Sequence, residues 1–225
     1  MNRAEYEKLK QEINRFIAFL KHIEHSLIGF DGNICNSFRV EILDNDEADS
    51  VFKSMKSNAT IMLYNLVEAC VRITMSDYYE KFNNSHQSYS QTIEKLRRLW
   101  IRYSARMFNE SNVSKNVFEM IENVMNDEYR ISLDFEKHFS LSGNADLREI
   151  KSILEIHGIE YNSEEFKNYG GALKSVKDMR NSLAHGNISF EENGKGLTVA
   201  DIDKYKKETY LCLEYFMEVV GNASF

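Results

Sequence analysis

The chain has 225 residues, enough for one large domain, and its 43% hydrophobic and 12% aromatic content excludes a disordered polymer in favour of a packed core. It contains no proline; proline breaks helix interiors and marks stiff linkers, so long uninterrupted helices are expected. A net charge of −7 counts against broad, non-specific nucleic-acid binding but leaves room for a local basic groove.

The first predicted helix runs from about Asn2 to Leu27. Leu9, Ile13, Phe16, Leu20, Ile23 and Leu27 alternate spacings of four and three, which suits a core-facing bundle helix or a dimer seam. No signal-peptide core precedes it. No apolar run reaches the ~20 residues that span a bilayer, and a cytoplasmic protein is expected. A loop or short strand follows from Gly29 to Asn45, around Phe38-Arg39-Val40-Glu41-Ile42. The second helix, about Glu47 to Phe82, carries a wide apolar stripe with Met62, Leu63, Leu66, Val67, Cys70 and Ile73, and should be central.

A third helix covers about Gln91 to Phe108, and a fourth Val113 to Met125. Asn144 is expected to cap a helix from Ala145 to His157 that stops at Gly158. Gly170-Gly171 opens the next helix, which ends at Gly186, a glycine suited to the left-handed position after a helix. Asn187 to Gly196 is expected to form a turn or small hairpin. Thr198, with Asp201 three residues on, caps a last helix to about Val220. The three cysteines, Cys35, Cys70 and Cys212, are far apart and odd in number. They fit no disulfide framework or metal-ligand spacing and suit a reducing compartment, with Cys70 and Cys212 in the core.

The segment Arg180-Asn181-Ser182-Leu183-Ala184-His185, followed by Gly186-Asn187, lies on a late helix of this helical chain. With Ser57-Asn58-Ala59-Thr60-Ile61-Met62-Leu63-Tyr64-Asn65-Leu66-Val67-Glu68-Ala69, Ser142-Gly143-Asn144-Ala145-Asp146-Leu147-Arg148-Glu149-Ile150 and the stretch Gly171 to Tyr205, it resembles the HEPN superfamily, whose signature is Arg, four to six residues, then His. The likeness is greatest to the prokaryotic branch found near restriction and abortive-infection genes. It covers roughly Ser57 to Val219.

The resemblance implies an all-α, HEPN-like bundle of long antiparallel helices, with one small hairpin at most. It is expected as a single domain over 1–225, with a core at 57–219 and with the helix and loop of 1–45 outside the match. The resemblance further implies a metal-independent endoribonuclease, usually a homodimer, in toxin–antitoxin or antiphage systems. Arg180 and His185 would carry the cleavage with Asn181 in support, and no cofactor or metal would be needed. RNA, a second copy and an antitoxin or defence-system protein are the partners implied. Some members carry a tyrosine two residues after the histidine, which an antitoxin modifies. Here that position is Asn187, which speaks against such control.

The chemistry suits these residue types. RNA is cut without metal when its 2′-hydroxyl attacks the adjacent phosphorus, leaving a 2′,3′-cyclic phosphate and a 5′-hydroxyl. A base near neutrality is needed, the ordinary role of histidine. Fixed positive charge on the phosphoryl oxygens is also needed, and arginine supplies it through a forked donor. On a regular helix Asn181 and His185 share a face, whereas Arg180 and His185 diverge by roughly 140°. Either the helix unwinds near His185, or two chains pool their motifs. Arg180 falls beside the apolar stripe of Leu173, Val176 and Leu183, so it needs a partner or a route to solvent. Glu68 is the candidate partner and, with Asn187, a supporting residue.

Other features carry a bland reading beside the functional one. Lys95, Arg98, Arg102 and Arg106 form a helical stripe interleaved with Arg97, Trp100 and Tyr103; it is an RNA-tracking surface or a solvated face. His22 and His25 have metal-binding spacing but no evident third ligand. Glu165-Phe166-Lys167 matches a short nuclease element but lacks its upstream Asp and strand. A non-catalytic HEPN-like module that binds RNA, a nucleotide or a protein is the alternative to the enzyme.

Overall fold

The computed structural model describes residues 3–28, 45–106 and 108–225. The strand expected at Phe38–Ile42, most of its loop, and Cys35 lie outside the described residues. These form ten helices: α1 (Arg3–Ile28), α2 (Asn45–Asn84), α3 (Glu94–Arg106), α4 (Val113–Met125), α5 (Phe135–His138), α6 (Leu147–His157), α7 (Ser163–Lys167), α8 (Gly170–Ala184), α9 (Phe190–Lys195) and α10 (Val199–Gly221). Among the described residues, the only strand-like pairing is an isolated bridge between Ser88 and Arg130. No described helix is long and apolar enough to cross a membrane.

α2 is the axis of the bundle. Its 40 residues reach about 60 Å at ~1.5 Å per residue. Ala59, Leu63, Leu66, Val67, Cys70, Val71 and Met75 are buried along it, and α1, α8, α9 and α10 all pack against it. α1 turns Tyr6, Ile13, Ile17 and Leu20 into this core, with Leu9, Phe16 and Ile23 partly covered. Its apolar seam therefore faces its own chain rather than a dimer partner. α1 runs antiparallel to α10, since Lys10 pairs with Glu214 at 2.5 Å and Lys21 with Asp203 at 3.1 Å. Cys70 and Cys212 are free and buried, as expected.

α6 runs parallel to α2. Tyr64 meets the chain just before α6, and Tyr79 hydrogen-bonds His157 at its far end, at 2.9 Å. Gly158 ends α6 at φ 70°, the left-handed value its sequence suggests. The expected cap is displaced: Asp146, not Asn144, caps α6, accepting from the amides of Arg148 and Glu149 at 2.9 and 3.2 Å. The expected hairpin after the motif is also absent. Ser189 caps the short helix α9, which lies on α2 because Gly194 lets the backbones touch. A Cβ on Gly194 would stand 1.8 Å from the Lys53 carbonyl oxygen. α10 begins with the expected Thr198–Asp201 capping box.

Candidate active site

The three sequence stretches that carry the resemblance meet at one place. α8 presents Arg180 and Asn181. α2 supplies Tyr64 beneath them. The loop Ser142–Asp146 closes the side. Tyr64 is fully buried, and its ring lies under the Arg180 guanidinium, 4.6 Å from ring centre to Cζ. Such a stack is worth ~0.5–2 kcal/mol, more as it is shielded from water. Arg180 Nη1 also donates to Asn181 Oδ1 at 3.0 Å and makes a long 3.5 Å contact with the Gly143 carbonyl.

The Tyr64 hydroxyl ties the loop to α2. It accepts from the Ala145 amide at 3.2 Å, and its proton is shared between the Gly143 carbonyl at 2.6 Å and Glu68 Oε1 at 2.9 Å. Burial pushes its pKa up to about 12, with Glu68 adding to the rise against the Ala145 amide and Arg180, so the phenol stays protonated. Arg180 and Glu68 therefore share Tyr64 without forming the expected ion pair: Glu68 accepts from the hydroxyl, and Arg180 sits on the ring.

A buried ion pair fixes α8 against this loop. Lys177 Nζ lies 2.9 Å from Asp146 Oδ2, with both side chains under 10% exposed. Burial alone would raise the Asp146 carboxyl, but hydrogen bonds from Lys177 and the Glu149 amide outweigh it and hold its pKa below the usual carboxylate value. One turn beyond Lys177, Asn181 Nδ2 donates to Asn144 Oδ1 at 2.8 Å.

α8 does not unwind before His185. The His185 amide bonds the Asn181 carbonyl at 3.0 Å, so Asn181 and His185 remain one helical turn apart. Gly186, at φ 68°, then closes the helix. Its amide bonds Leu183 O at 3.1 Å and the Asn187 amide bonds Ser182 O at 2.9 Å, the paired contacts of a Schellman turn. His185 and Asn187 are exposed, while Arg180 and Asn181 are half-buried. Asn187 thus supports the helix end through its backbone.

The structure does not bring the basic stripe to this place. Lys95, Arg98, Arg102 and Arg106 are exposed on α3, whose main neighbours are α5 and α6 rather than α8. Arg98 pairs with Glu94 at 2.7 Å. Trp100 is buried against Tyr89 and Tyr129, and Tyr103 stacks on His138 at 3.7 Å, so neither ring stands free in the stripe. Among the described residues, no group of three or more His, Cys, Asp or Glu is placed to hold a metal ion. A cavity of about 630 Å³ between α1 and α10 holds no motif residue; of the lysines that line it, Lys21 and Lys207 bind Asp203 and Lys204 binds Glu208.

Tyr64, Gly143, Asn144, Asp146 and Lys177 were not legible as site residues. The one sequence signal for Tyr64 is its place four residues before Glu68, inside a stretch that carries the resemblance.

A family model described as HEPN_MAE_28990-like HEPN matches residues 4–223. The match takes in α1, whereas the resemblance read from sequence begins at Ser57. No curated protein and no solved structure matches the chain.

Proposed function

The chain belongs to the HEPN_MAE_28990-like HEPN family, and from that premise we propose that it is a metal-independent endoribonuclease using Arg180 and His185, with Asn181 in support. The observation that carries this reading is the anchoring of Arg180. One nitrogen of its fork is held by Asn181 and Gly143 over the Tyr64 ring, which leaves the rest of the guanidinium for a phosphate. His185, exposed at the helix end, would take the proton from the 2′-hydroxyl as that oxygen attacks phosphorus. Arg180 would neutralise the charge growing on the non-bridging oxygens. The 5′-oxygen leaves with a proton, giving a 2′,3′-cyclic phosphate and a 5′-hydroxyl.

Because α8 stays regular up to His185, Arg180 and His185 point apart by roughly 140°. This supports a homodimer in which two motifs pool, one His185 acting as base and the other as acid. A role as a toxin or antiphage effector, restrained by a partner protein, follows from the same reading.

A cleavage assay on single-stranded RNA tests the proposal. Cutting should persist in EDTA, leave cyclic phosphate ends, and stop when the 2′-hydroxyl at the cut site is replaced by hydrogen. Specific activity should fall on dilution as the dimer dissociates. Cleavage that EDTA abolishes, or that proceeds on the 2′-deoxy site, would contradict it.

A second reading, a non-catalytic module that docks a protein, is favoured by α4. Phe118, Ile121 and Met125 stand exposed along one side of it, at 65%, 47% and 75%. Capture of a partner protein that Phe118→Asp abolishes, with no cutting of RNA, would favour this reading.

A further inference from the structure

The hydrogen-bond chain from Arg180 has only one possible direction, and it ends on Asn144. An arginine offers donors and no acceptor. The Asn181 atom that meets Arg180 Nη1 at 3.0 Å is therefore its carbonyl oxygen. That leaves Asn181 Nδ2 to donate, and it does so to Asn144 Oδ1 at 2.8 Å. With its oxygen engaged, Asn144 must turn its Nδ2 group away from Asn181. Asn144 is exposed, and among the described residues Nδ2 has no hydrogen-bond partner, while its backbone amide is held by Ser142 Oγ at 3.3 Å.

The donor is fixed in place as well as in direction. The residues on either side of Asn144 are bound by the buried Tyr64 hydroxyl, Gly143 through its carbonyl and Ala145 through its amide. Asp146, next along, is locked to Lys177. Asn181 lies one turn before His185 on the same face, where side chains are roughly 5–6 Å apart at Cβ. The Asn144 amide is thus a preorganised donor, one hydrogen bond removed from Asn181 and two from Arg180.

We infer that Asn144 is a substrate-binding residue whose side-chain amide donates to a non-bridging oxygen of an RNA phosphodiester, alongside Arg180. Arg180, acting through Asn181, sets the direction of that amide. The inference rests on the endoribonuclease reading for the identity of the ligand. Asn144 is not needed to cap α6, because Asp146 does that.

The test is the affinity for fully 2′-O-methylated single-stranded RNA, which binds but has no free hydroxyl to attack, so binding is read apart from cutting. Asn144→Ala loses the donor and should weaken binding on the order of tenfold, the worth of one hydrogen bond to a charged group. Asn144→Asp keeps the acceptor for Asn181 but puts negative charge where the donor stood, and should weaken binding further. In ¹⁵N spectra of the wild-type protein, the Asn144 side-chain amide should shift as RNA saturates the site, a readout that needs no variant to fold. Wild-type affinity in both variants, an unmoved Asn144 resonance, or no binding of this RNA by the wild type overturns the inference. Asn144-dependent binding without cleavage of ordinary RNA would leave the inference standing and end the nuclease reading. Cleavage with unaffected Asn144 variants would do the reverse.

Discussion

His157 shows what the fold does with a histidine that is not at the site. It is 3% exposed. Its Nδ1 lies 2.7 Å from the Ile153 carbonyl, which can only accept, so Nδ1 carries the proton and Nε2 accepts from Tyr79 at 2.9 Å. Burial lowers its pKa from 6.5, against the Ile153 hydrogen bond. Well above pH 6.5 the group is neutral folded and unfolded, and has no pH effect. Below it the unfolded chain takes up a proton that the folded chain refuses, so stability falls with pH until the folded pKa is passed. His138, lowered mainly by burial, acts in the same direction. The urea midpoint should therefore drop between pH 7.5 and pH 5.5, and drop less in His157→Gln; an equal drop in both would contradict this. At this scale the sequence exposes the motif but not its setting. Arg180 and His185 stand out by spacing. Tyr64 is one aromatic among many until α2 places it under Arg180.

At the scale of elements, α9 holds the chain that leaves the motif. Ser57, buried on α2, donates to the Phe190 carbonyl at 2.5 Å and accepts from Asn193 at 2.9 Å. Lys56 donates to the Leu197 carbonyl at 2.6 Å. Gly194 permits this contact. In an ordinary helix, Gly→Ala gains roughly 1 kcal/mol. Here the new methyl would strike the Lys53 backbone, and Gly194→Ala should instead cost about 1–3 kcal/mol or more. Urea denaturation would measure this, and a stability gain would contradict the packing. Glycines and asparagines made this stretch look like a turn, because its helical state depends on a contact distant in sequence. The cap of α6 differs from the one its sequence suggests for a related reason. Asn144 and Asp146 are both good capping residues, and what selects Asp146 is Lys177, 31 residues away. Helix ends with local signals, by contrast, were legible: α10 begins at its Thr198–Asp201 capping box, α6 stops at Gly158 and α8 opens at Gly170, because each signal acts within a few residues of the end it marks.

In the whole molecule, α2 and the loop before α6 form a seat for α8. Three segments separated in sequence converge there on Arg180, and the family match runs across nearly all of the chain. The helical architecture was readable from composition, the absence of proline and helical periodicity. Which faces meet was not, since that is decided by pairs such as Tyr64 with Gly143 and Lys177 with Asp146. On the proposed reading, this seat serves RNA cleavage by Arg180 and His185. The most direct measurement compares RNA cutting by wild type and His185→Ala, each with and without EDTA, at matched melting temperature. The expected result is cutting by the wild type in both conditions and loss by more than a hundredfold, on the scale of a lost general base, in His185→Ala. Cutting that EDTA abolishes and that His185→Ala leaves untouched would contradict it.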